Sequence, residues 1–542
     1  MNRFIYPIFF LVLFAACGSN NKTASDKTVF RYNEPGGVSS LDPAFARNLE
    51  NIWVVNQLYD GLVSLDAKMQ VQPQVAKSWE LDSSKTSYTF TLKKEVFFHD
   101  NPCFKEGKGR AVVADDVVYT LERLVDSKLA SAGRWILDGI QRREDGSLDV
   151  SAINDTTLTI KLKQPVPQFL SLLAMQYCGL VPKEAIAMYG DDFRANPVGC
   201  GPFKFFIWEE GNKLILHKNE RYYMQDSPQA KLPYLDAVAV SFIKDQSAAL
   251  MGMQSGEFDF MSGLDAASKH RVLTPNGELT NEFSSSFKAI KTPFLKTDYL
   301  GVRIGLDALL DEQKVRKALS MAINREDLVK FVLNGLGKPA SSGFVPEVLW
   351  KDAAPAHENF QYNPTKAKAL LSEVPGLAGS KIVISTTSGA IEVCEYVQRQ
   401  WNAIGINVEV EILPSSHHRE QCSAGNLALF RKSWIADYPD PENFLSLFYG
   451  PMQVPAGPNY FFYQNAEYDK LYEHSMLAKG DEREALLLEM QETINEDMPL
   501  IPLFYDEVFQ LCHKRVENLQ TDAMNVLDLS RVRITPTLTQ PQ

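Results

Sequence analysis

One stretch in the second half of the chain constrains the fold more than any other. Residues 381–385 form a short apolar run, residues 391–404 carry apolar side chains on one helical face, and residues 408–412 alternate between apolar and charged. This order predicts a strand, an amphipathic helix and a second strand. A unit of this length joins two parallel strands by a right-handed crossover, so the predicted fold class is α/β.

The rest of the chain predicts two lobes and an insertion. A chain of 542 residues is too long for one hydrophobic core. Two extended apolar segments, 288–304 and 500–510, are predicted to cross between the lobes as a hinge. Alternating residues at 88–92 and 158–162 predict half-buried strands. The segment 77–195 around them is expected to have a small core of its own.

Helix starts are predicted from residues whose side chains can cap free N–H groups. Asn51 is expected to cap a helix in the first half, and Asp311 a helix with an apolar stripe in the second. Asn363 precedes Pro364, and proline is favoured at the first helical position.

The first 17 residues predict export. Arg3 precedes an apolar run, 4–14, which is shorter than the roughly 20 residues needed to span a bilayer. Two alanines then precede Cys17, as at a signal-peptide cleavage site. The pattern resembles a lipobox, which implies a lipidated Cys17; the alternative is plain cleavage with Cys17 as an ordinary thiol. Residues 18–27 are small and polar, which suits a flexible tether.

Six further cysteines follow, in what is predicted to be an oxidising compartment. They allow up to three disulfides in 15 connectivities, and spacing alone does not choose between these. Cys178 and Cys200 are the favoured pair.

Charge and motifs argue against nucleic acid and against catalysis. The net charge is −12, whereas phosphate binding needs a basic face. The chain has no Walker loop, His-Glu-x-x-His, Cys-x-x-Cys or Gly-x-Ser-x-Gly. We therefore predict no enzyme, no cofactor and no metal; a secreted hydrolase, the least favoured alternative, would need a nucleophile–base pair. His417 and His418 are expected on a surface loop, since adjacent residues rarely converge on one ion.

Residues 429–444 are the predicted ligand site. An apolar run predicts a strand, and two nearby prolines then force the chain out of regular structure. Trp434, Asp437 and Tyr438 lie at this transition, a good position for side chains that face a cleft. The alternative is an ordinary strand-to-loop transition with surface charges.

Several segments, taken together, resemble the family 5 substrate-binding proteins of ABC importers, which bind oligopeptides, dipeptides or nickel. Each segment is weakly specific, and the specificity lies in their order and spacing. They are Leu41-Asp42-Pro43 and residues 58–62, 76–79, 88–90, 96–100, 196–199, 201–203, 256–259, 315–323 and 434–441.

The resemblance implies a two-lobed periplasmic-binding-protein fold of type II, cluster C, with an extra inserted domain and a two-crossing hinge. The ligand is expected to lie between lobes that close on it. The implied division is a signal peptide at 1–17, a tether at 18–27, lobe I at 28–76, 196–287 and 511–542, an inserted domain at 77–195, and lobe II at 288–510.

The resemblance also implies roles for individual residues. In peptide-binding members the corresponding segment runs antiparallel to the peptide, so Asp437 is expected to receive the N-terminal ammonium and Arg431 to keep Asp437 ionised. Main-chain groups of Ser433 and Ile435 are expected to pair with the peptide backbone. The other expected ligand-site residues are Arg47, Leu49, Trp434, Tyr438 and Trp135.

We therefore predict a lipid-anchored, monomeric receptor that faces the periplasm or the cell exterior. It is expected to capture peptides and to deliver them to the membrane permease of an ABC transporter. A receptor for a nickel chelate or another small solute on the same fold is the alternative. Asp437 favours the peptide receptor over this alternative, because the buried ammonium group of a peptide needs a carboxylate partner.

Overall fold

The computed structural model describes residues 27–352, 354–375 and 380–535. The predicted signal peptide, Cys17 and all of the tether except its last residue lie outside these ranges. Within the described ranges, no helix combines the length and the apolar character needed to cross a membrane.

The described residues contain 21 strands and 16 α-helices, numbered here in chain order. The strands are β1 Val29–Asn33, β2 Val63–Leu65, β3 Val71–Pro73, β4 Ala76–Leu81, β5 Ser87–Leu92, β6 Val150–Asn154, β7 Thr157–Lys161, β8 Phe203–Glu209, β9 Lys213–Lys218, β10 Gln225–Ser227, β11 Ala230–Lys231, β12 Ala237–Ser241, β13 Phe260–Ser262, β14 Phe287–Val302, β15 Lys338–Pro339, β16 Lys381–Thr386, β17 Asn407–Ile412, β18 Leu429–Ile435, β19 Leu500–His513, β20 Val516–Glu517 and β21 Arg533–Ile534. The helices are α1 Leu49–Leu58, α2 Ala114–Val125, α3 Phe169–Leu173, α4 Lys183–Tyr189, α5 Gln246–Ser255, α6 Ala266–Val272, α7 Asn281–Ser284, α8 Ala308–Asp311, α9 Gln313–Met321, α10 Arg325–Asp327, α11 Pro364–Ser372, α12 Ile391–Ala403, α13 Ser415–Ala424, α14 Glu442–Leu445, α15 Ala466–Leu477 and α16 Gly480–Asp497.

One large sheet runs through both lobes. Its strand order is β17-β16-β18-β14-β19-β13-β1-β12-β9-β8, and β15 also pairs with β19. β14 and β19 are antiparallel, and their register is broken between Pro293 and Thr297, opposite Glu507 and Tyr505. β18 borders one half of this pair and β13 the other. The two predicted crossings are therefore neighbouring strands of one sheet, with an irregular step where they pass between the lobes.

The predicted parallel unit of the second lobe is confirmed. β16 and β17 pair in parallel, and α12 connects them. α12 buries Val393, Val397 and Trp401 against the sheet and its neighbours. The Trp401 Nε1–H donates to the Leu319 carbonyl oxygen at 2.8 Å, so burial of this tryptophan leaves no polar atom unsatisfied.

The segment after β3 contains a separate antiparallel sheet of four strands, β4-β5-β7-β6. The alternating residues place Phe90 and Ile160 in its buried face. These side chains belong to the same hydrophobic cluster as Tyr59 and Phe203 of the first lobe. The expected separate core is therefore wrong, because one small sheet cannot enclose enough apolar surface alone.

Two predicted helix caps are wrong by a few residues. α1 begins after Asn48, while Asn51 lies inside the helix and its Oδ1 accepts a hydrogen bond from the Ser39 N–H at 3.0 Å. The helix with the apolar stripe is α9, whose N-cap is Glu312, while Asp311 is the last residue of α8. In both places another polar residue stands near the predicted one, and tertiary contacts decide which of the two caps the helix. Asn363 caps α11 as predicted.

The predicted disulfide and the predicted histidine loop are also wrong. All six cysteines of the described residues are free. Cys178 Sγ lies 3.9 Å from the Leu172 carbonyl oxygen and Cys200 Sγ 3.8 Å from that of Asp60, so each thiol faces its own acceptor.

His417 and His418 lie on helix α13 rather than on a loop. The His418 side chain is buried, and its Nε2 lies 3.2 Å from the Ser385 carbonyl oxygen. The helix forms because neighbouring strands give it a surface to pack on, which local composition does not reveal.

Candidate functional site

Strand β18 has one paired edge and one largely open edge. It pairs antiparallel with β14 along its whole length, but with β16 only where Phe430 lies opposite Ser385. The Ala436 N–H donates to the Leu295 carbonyl oxygen of β14 at 2.8 Å. Because main-chain groups alternate in direction along an antiparallel strand, those of Ser433 and Ile435 point away from β14. No described strand covers them there.

The loop after β18 carries Asp437. Its side chain is exposed to the space between the lobes. Burial by the surrounding protein nevertheless raises the pKa of the carboxyl group, while a side-chain hydrogen bond with Asn443 lowers it. Asn443 Oδ1 also accepts from Trp434 Nε1 at 2.9 Å, so one amide fixes the tryptophan and the loop together.

Arg431 does not contact Asp437. Its guanidinium group contacts the Asp298 carboxylate, which is fully buried. Lys296 Nζ lies 3.5 Å from Asp298 and 2.6 Å from Asp506. Arg431 lies opposite Leu300 in the β14–β18 ladder, and Asp298 is the diagonal neighbour on the same face. The prediction that Arg431 keeps Asp437 ionised is therefore wrong, and its role toward a ligand stays a prediction.

Tyr438 links the second lobe to the inserted segment. Its hydroxyl donates to Glu442 Oε2 at 2.6 Å, and the Tyr472 hydroxyl donates to Oε1 of the same carboxylate at 2.6 Å. Gln168 Nε2, from the inserted segment, lies 3.4 Å from Glu442 Oε2. The Trp135 ring lies 6.4 Å from the Tyr438 ring and stays partly exposed.

The opposite wall is the loop before α1 together with the first residue of that helix: Arg47 of the loop is exposed, and Leu49 of the helix is half-buried. Gln176 Nε2 donates to the Ala46 carbonyl oxygen at 2.7 Å and holds this loop. Burial and the negative charge of Asp437 raise the pKa of the Tyr177 hydroxyl, while the positive charge of Arg47 lowers it. Asp437 and Arg47 therefore face the same region from opposite sides of the cleft.

A cavity of about 340 Å³ lies between the lobes, with Asp437 and Tyr438 in its wall. The other predicted ligand-site residues do not line it. Most of its wall comes from the first lobe and the inserted segment: Asn56, Tyr59, Asp60, Gly61, Ser64, Leu65, Asp66, Ala67, Gln72, Pro73, Gln74, Ser171, Ala174, Met175, Gln176, Gly179, Pro202, Tyr222, Met224, Leu232, Pro439, Gln520, Thr521, Asp522, Met524, Val526, Leu527, Asp528, Ser530 and Arg531.

Sequence reasoning missed several residues of this site. Asn443 lies close behind the two prolines, and a polar side chain at that point could have been suspected from its position. Tyr177 and Asp60 carry no local signal, since only the fold brings them to the cleft. Asp60 is buried, and its carboxylate accepts hydrogen bonds from Gln74 at 2.7 Å and Tyr223 at 2.8 Å. Burial raises the pKa of Asp60 to about 7.

The raised pKa of Asp60 predicts a pH-dependent stability. The unfolded carboxyl has a pKa near 3.9, so at pH 5 it is already ionised while the folded carboxyl is still protonated, and the folded carboxyl loses this proton as pH rises through about 7. Stability therefore falls as pH rises through this window, by about 2–3 kcal/mol from this group. Denaturant unfolding of wild type and Asp60→Asn at pH 5, 6, 7 and 8 measures the effect, and the variant is expected to lack this part of the slope.

Asp66→Asn is the control for this measurement. Asp66 also lines the cavity, but a backbone hydrogen bond with Gln70 lowers its pKa, so it stays ionised from pH 5 to 8 in both states. Parallel pH profiles for wild type and Asp60→Asn would contradict the assignment of the raised pKa to Asp60.

One group of residues within the described ranges has the composition of a metal site: His357, Glu492 and Glu496. His357 Nε2 lies 3.3 Å and 3.2 Å from the two carboxylates, while Nδ1 accepts a hydrogen bond from the Asn359 N–H. The ring N–H is therefore on Nε2, which donates hydrogen bonds to the carboxylates. Glu496 also pairs with Lys317 at 2.6 Å. In this form the group is held by hydrogen bonds and by the Lys317–Glu496 ion pair, and none of its members lines the cavity.

The continuous sheet, the hinge strands and the interlobe cavity define a two-lobed α/β binding protein of the type II periplasmic class. Comparison with known proteins then identifies the family. Residues 70–455 match the family described as "Bacterial extracellular solute-binding proteins, family 5 Middle". The chain belongs to that family.

Three of the similar proteins are named as peptide binders. Di/tripeptide-binding protein 2 of Pseudomonas aeruginosa (strain UCBPP-PA14) is 26% identical over 88% of this chain and 89% of its own length. Oligopeptide-binding protein OppA of Bacillus subtilis (strain 168) is 28% identical over 92% of each. The solved structure of the ABC transporter-associated periplasmic binding protein DppA from Helicobacter pylori, in complex with peptide STSA, is 26% identical. It has a TM-score of 0.74 and covers 94% of this chain and 98% of that one.

Proposed function

We propose that this protein captures short peptides between its two lobes and delivers them to the permease of an ABC transporter. One observation carries the proposal: the open edge of β18 leads directly to the carboxylate of Asp437 beside an interlobe cavity. A peptide can add to this edge as a further strand, with affinity supplied by main-chain hydrogen bonds. The names of the relatives support this class of ligand.

Asp437 would receive the N-terminal ammonium of the peptide. The ammonium group loses water when the lobes close, so it requires a charged acceptor. The same contact would lower the pKa of Asp437, which burial raises in the free protein. Ser433 and Ile435 would hold the backbone of the first residues, and Arg47 and Tyr177 would face the peptide from the first lobe.

We also propose the division of the chain given above, with 77–195 inserted into lobe I and 288–510 as lobe II. The location of β4, β5, β6 and β7 in one separate sheet supports it, as does the register step in β14 and β19. We further propose that the protein acts as a monomer and has no catalytic activity, in keeping with a family of binding proteins.

Two measurements test the function. Native mass spectrometry of the purified protein identifies any co-purified ligand, and a peptide is expected. Calorimetric titration then compares tri-alanine with N-acetylated tri-alanine and a nickel–histidine chelate. Binding of the free peptide with weaker binding of the acetylated one supports the proposal. Binding of the chelate alone contradicts it.

We further propose that Cys17 anchors the mature protein to a membrane. Cys17→Ala is expected to move the protein from the membrane fraction to the soluble fraction, because the lipid-bearing thiol is lost. Cys103→Ala is the matched control, since Cys103 is a free thiol within the fold. Wild type found in the soluble fraction to the same extent as Cys17→Ala would contradict the anchor.

A further inference from the structure

The interlobe cavity lies at one end of the proposed peptide path. Asp437, Tyr438 and Pro439 line it, but no residue of β18 does. A peptide that lies along β18 with its ammonium group at Asp437 therefore places only its first residue beside the cavity. The side chain of that residue is the part of the ligand that can enter.

The walls of the cavity carry an excess of negative charge. Five aspartates line it, with no lysine or histidine: Asp60, Asp66, Asp437, Asp522 and Asp528. Burial raises the pKa of Asp60, Asp437 and Asp522, so the negative charge of the wall rests mainly on Asp66 and Asp528. The one lining cation is Arg531, whose guanidinium group contacts the Asp226 carboxylate outside the cavity wall. Lys93, which does not line the cavity, lowers the pKa of Asp60 by its charge and donates to the Gln74 carbonyl oxygen.

Asp522 and Asp528 accept their hydrogen bonds from neutral donors. Asp528 Oδ1 accepts from the Ser530 N–H at 2.8 Å, and Asp522 Oδ1 from two backbone N–H groups at 3.0 Å. These hydrogen bonds explain why aspartate is favoured in each turn. Because the backbone donors are neutral, they do not cancel the charge of an ionised carboxylate. Methionine and leucine side chains, Met175, Met224, Leu65 and Leu232, supply apolar surface between the carboxylates.

We propose that the cavity selects peptides whose first residue is lysine or arginine, an inference that rests on the proposed peptide-binding function. The apolar walls suit the methylene stem of such a side chain, and the carboxylates attract its cationic end. The volume of about 340 Å³ leaves room for the whole side chain and for water. A glutamate in the same position would meet like charge and be rejected.

A series of matched tripeptides tests the proposal by calorimetric titration of the full mature chain. The peptides are Lys-Ala-Ala, norleucine-Ala-Ala and Glu-Ala-Ala; norleucine keeps the stem of lysine without its charge. Lys-Ala-Ala is expected to bind about tenfold more tightly than norleucine-Ala-Ala, and Glu-Ala-Ala more weakly than both, with the lysine advantage smaller at high salt.

Norleucine-Ala-Ala binding as tightly as Lys-Ala-Ala would overturn the charge preference while leaving peptide capture intact. Failure of all three peptides to bind, with a different ligand in the purified protein, would instead overturn the proposed function, and the preference with it. The two failures are therefore distinguishable.

Asp528→Asn assigns the effect to the cavity. The variant is expected to reduce the lysine-to-norleucine affinity ratio severalfold. Asp145→Asn is the matched control, because Asp145 Oδ1 accepts from the Ser147 N–H at 3.0 Å in the same kind of turn, outside the cavity. An equal effect of both variants, or no effect of Asp528→Asn, would contradict a direct role for the cavity charge.

Discussion

Asp437→Asn is expected to weaken the binding of a free tripeptide roughly 30-fold or more. Removal of one partner from a buried charge pair costs on the order of 2–5 kcal/mol, because the other charge is stranded. Asparagine keeps the size and shape of the side chain, so the loop held by Asn443 is expected to survive. N-acetylation of the peptide removes the other half of the same pair and is expected to weaken binding by wild type to a similar degree.

Calorimetric titration of the four combinations of protein and peptide measures the coupling. The loss for acetylated peptide with Asp437→Asn is expected to be smaller than the sum of the two single losses, since both changes delete one interaction. Simple additivity would show that Asp437 and the peptide ammonium do not interact. Equal binding of free and acetylated peptide by wild type would remove the main support for an ammonium site.

Asp298→Asn is expected to lower the free energy of unfolding by about 3–5 kcal/mol. Asp298 is fully buried between Arg431 and Lys296, and its loss leaves two cations without their shared partner. Lys296 keeps its ion pair with Asp506 at 2.6 Å. Most of the lost stability is therefore expected to come from Arg431, which is left without a partner. The measurement is the shift of the denaturant midpoint at constant slope.

Asp481→Asn is the control for this stability effect. Asp481 pairs with Lys351 at 2.9 Å, but both side chains are largely exposed. Loss of such a surface pair costs about 0–1 kcal/mol. Indistinguishable midpoints for Asp298→Asn and Asp481→Asn would show that the buried Arg431–Asp298 pair contributes nothing to stability.

Much of the second lobe could be predicted from local patterns. The β16–α12–β17 unit follows from hydrophobic period, and Asn363-Pro364 marks the start of α11. The same reasoning fails where two capping residues compete, as at Asn48 and Asn51. It also fails for the disulfide, because the distance and direction between Cys178 and Cys200 depend on the fold.

At the site, local sequence predicts the strand, the proline-bound loop and the carboxylate at its tip, because these follow from neighbouring residues. The partner of each charge depends instead on how distant segments pack. Arg431 and Asp298 are 133 residues apart and meet because β14 and β18 pair in one register. The acidic cavity likewise collects aspartates from distant segments, 60–66 and 522–528, around Asp437. Local sequence encodes the conformation of a segment, whereas electrostatic partnership depends on distances that only packing sets.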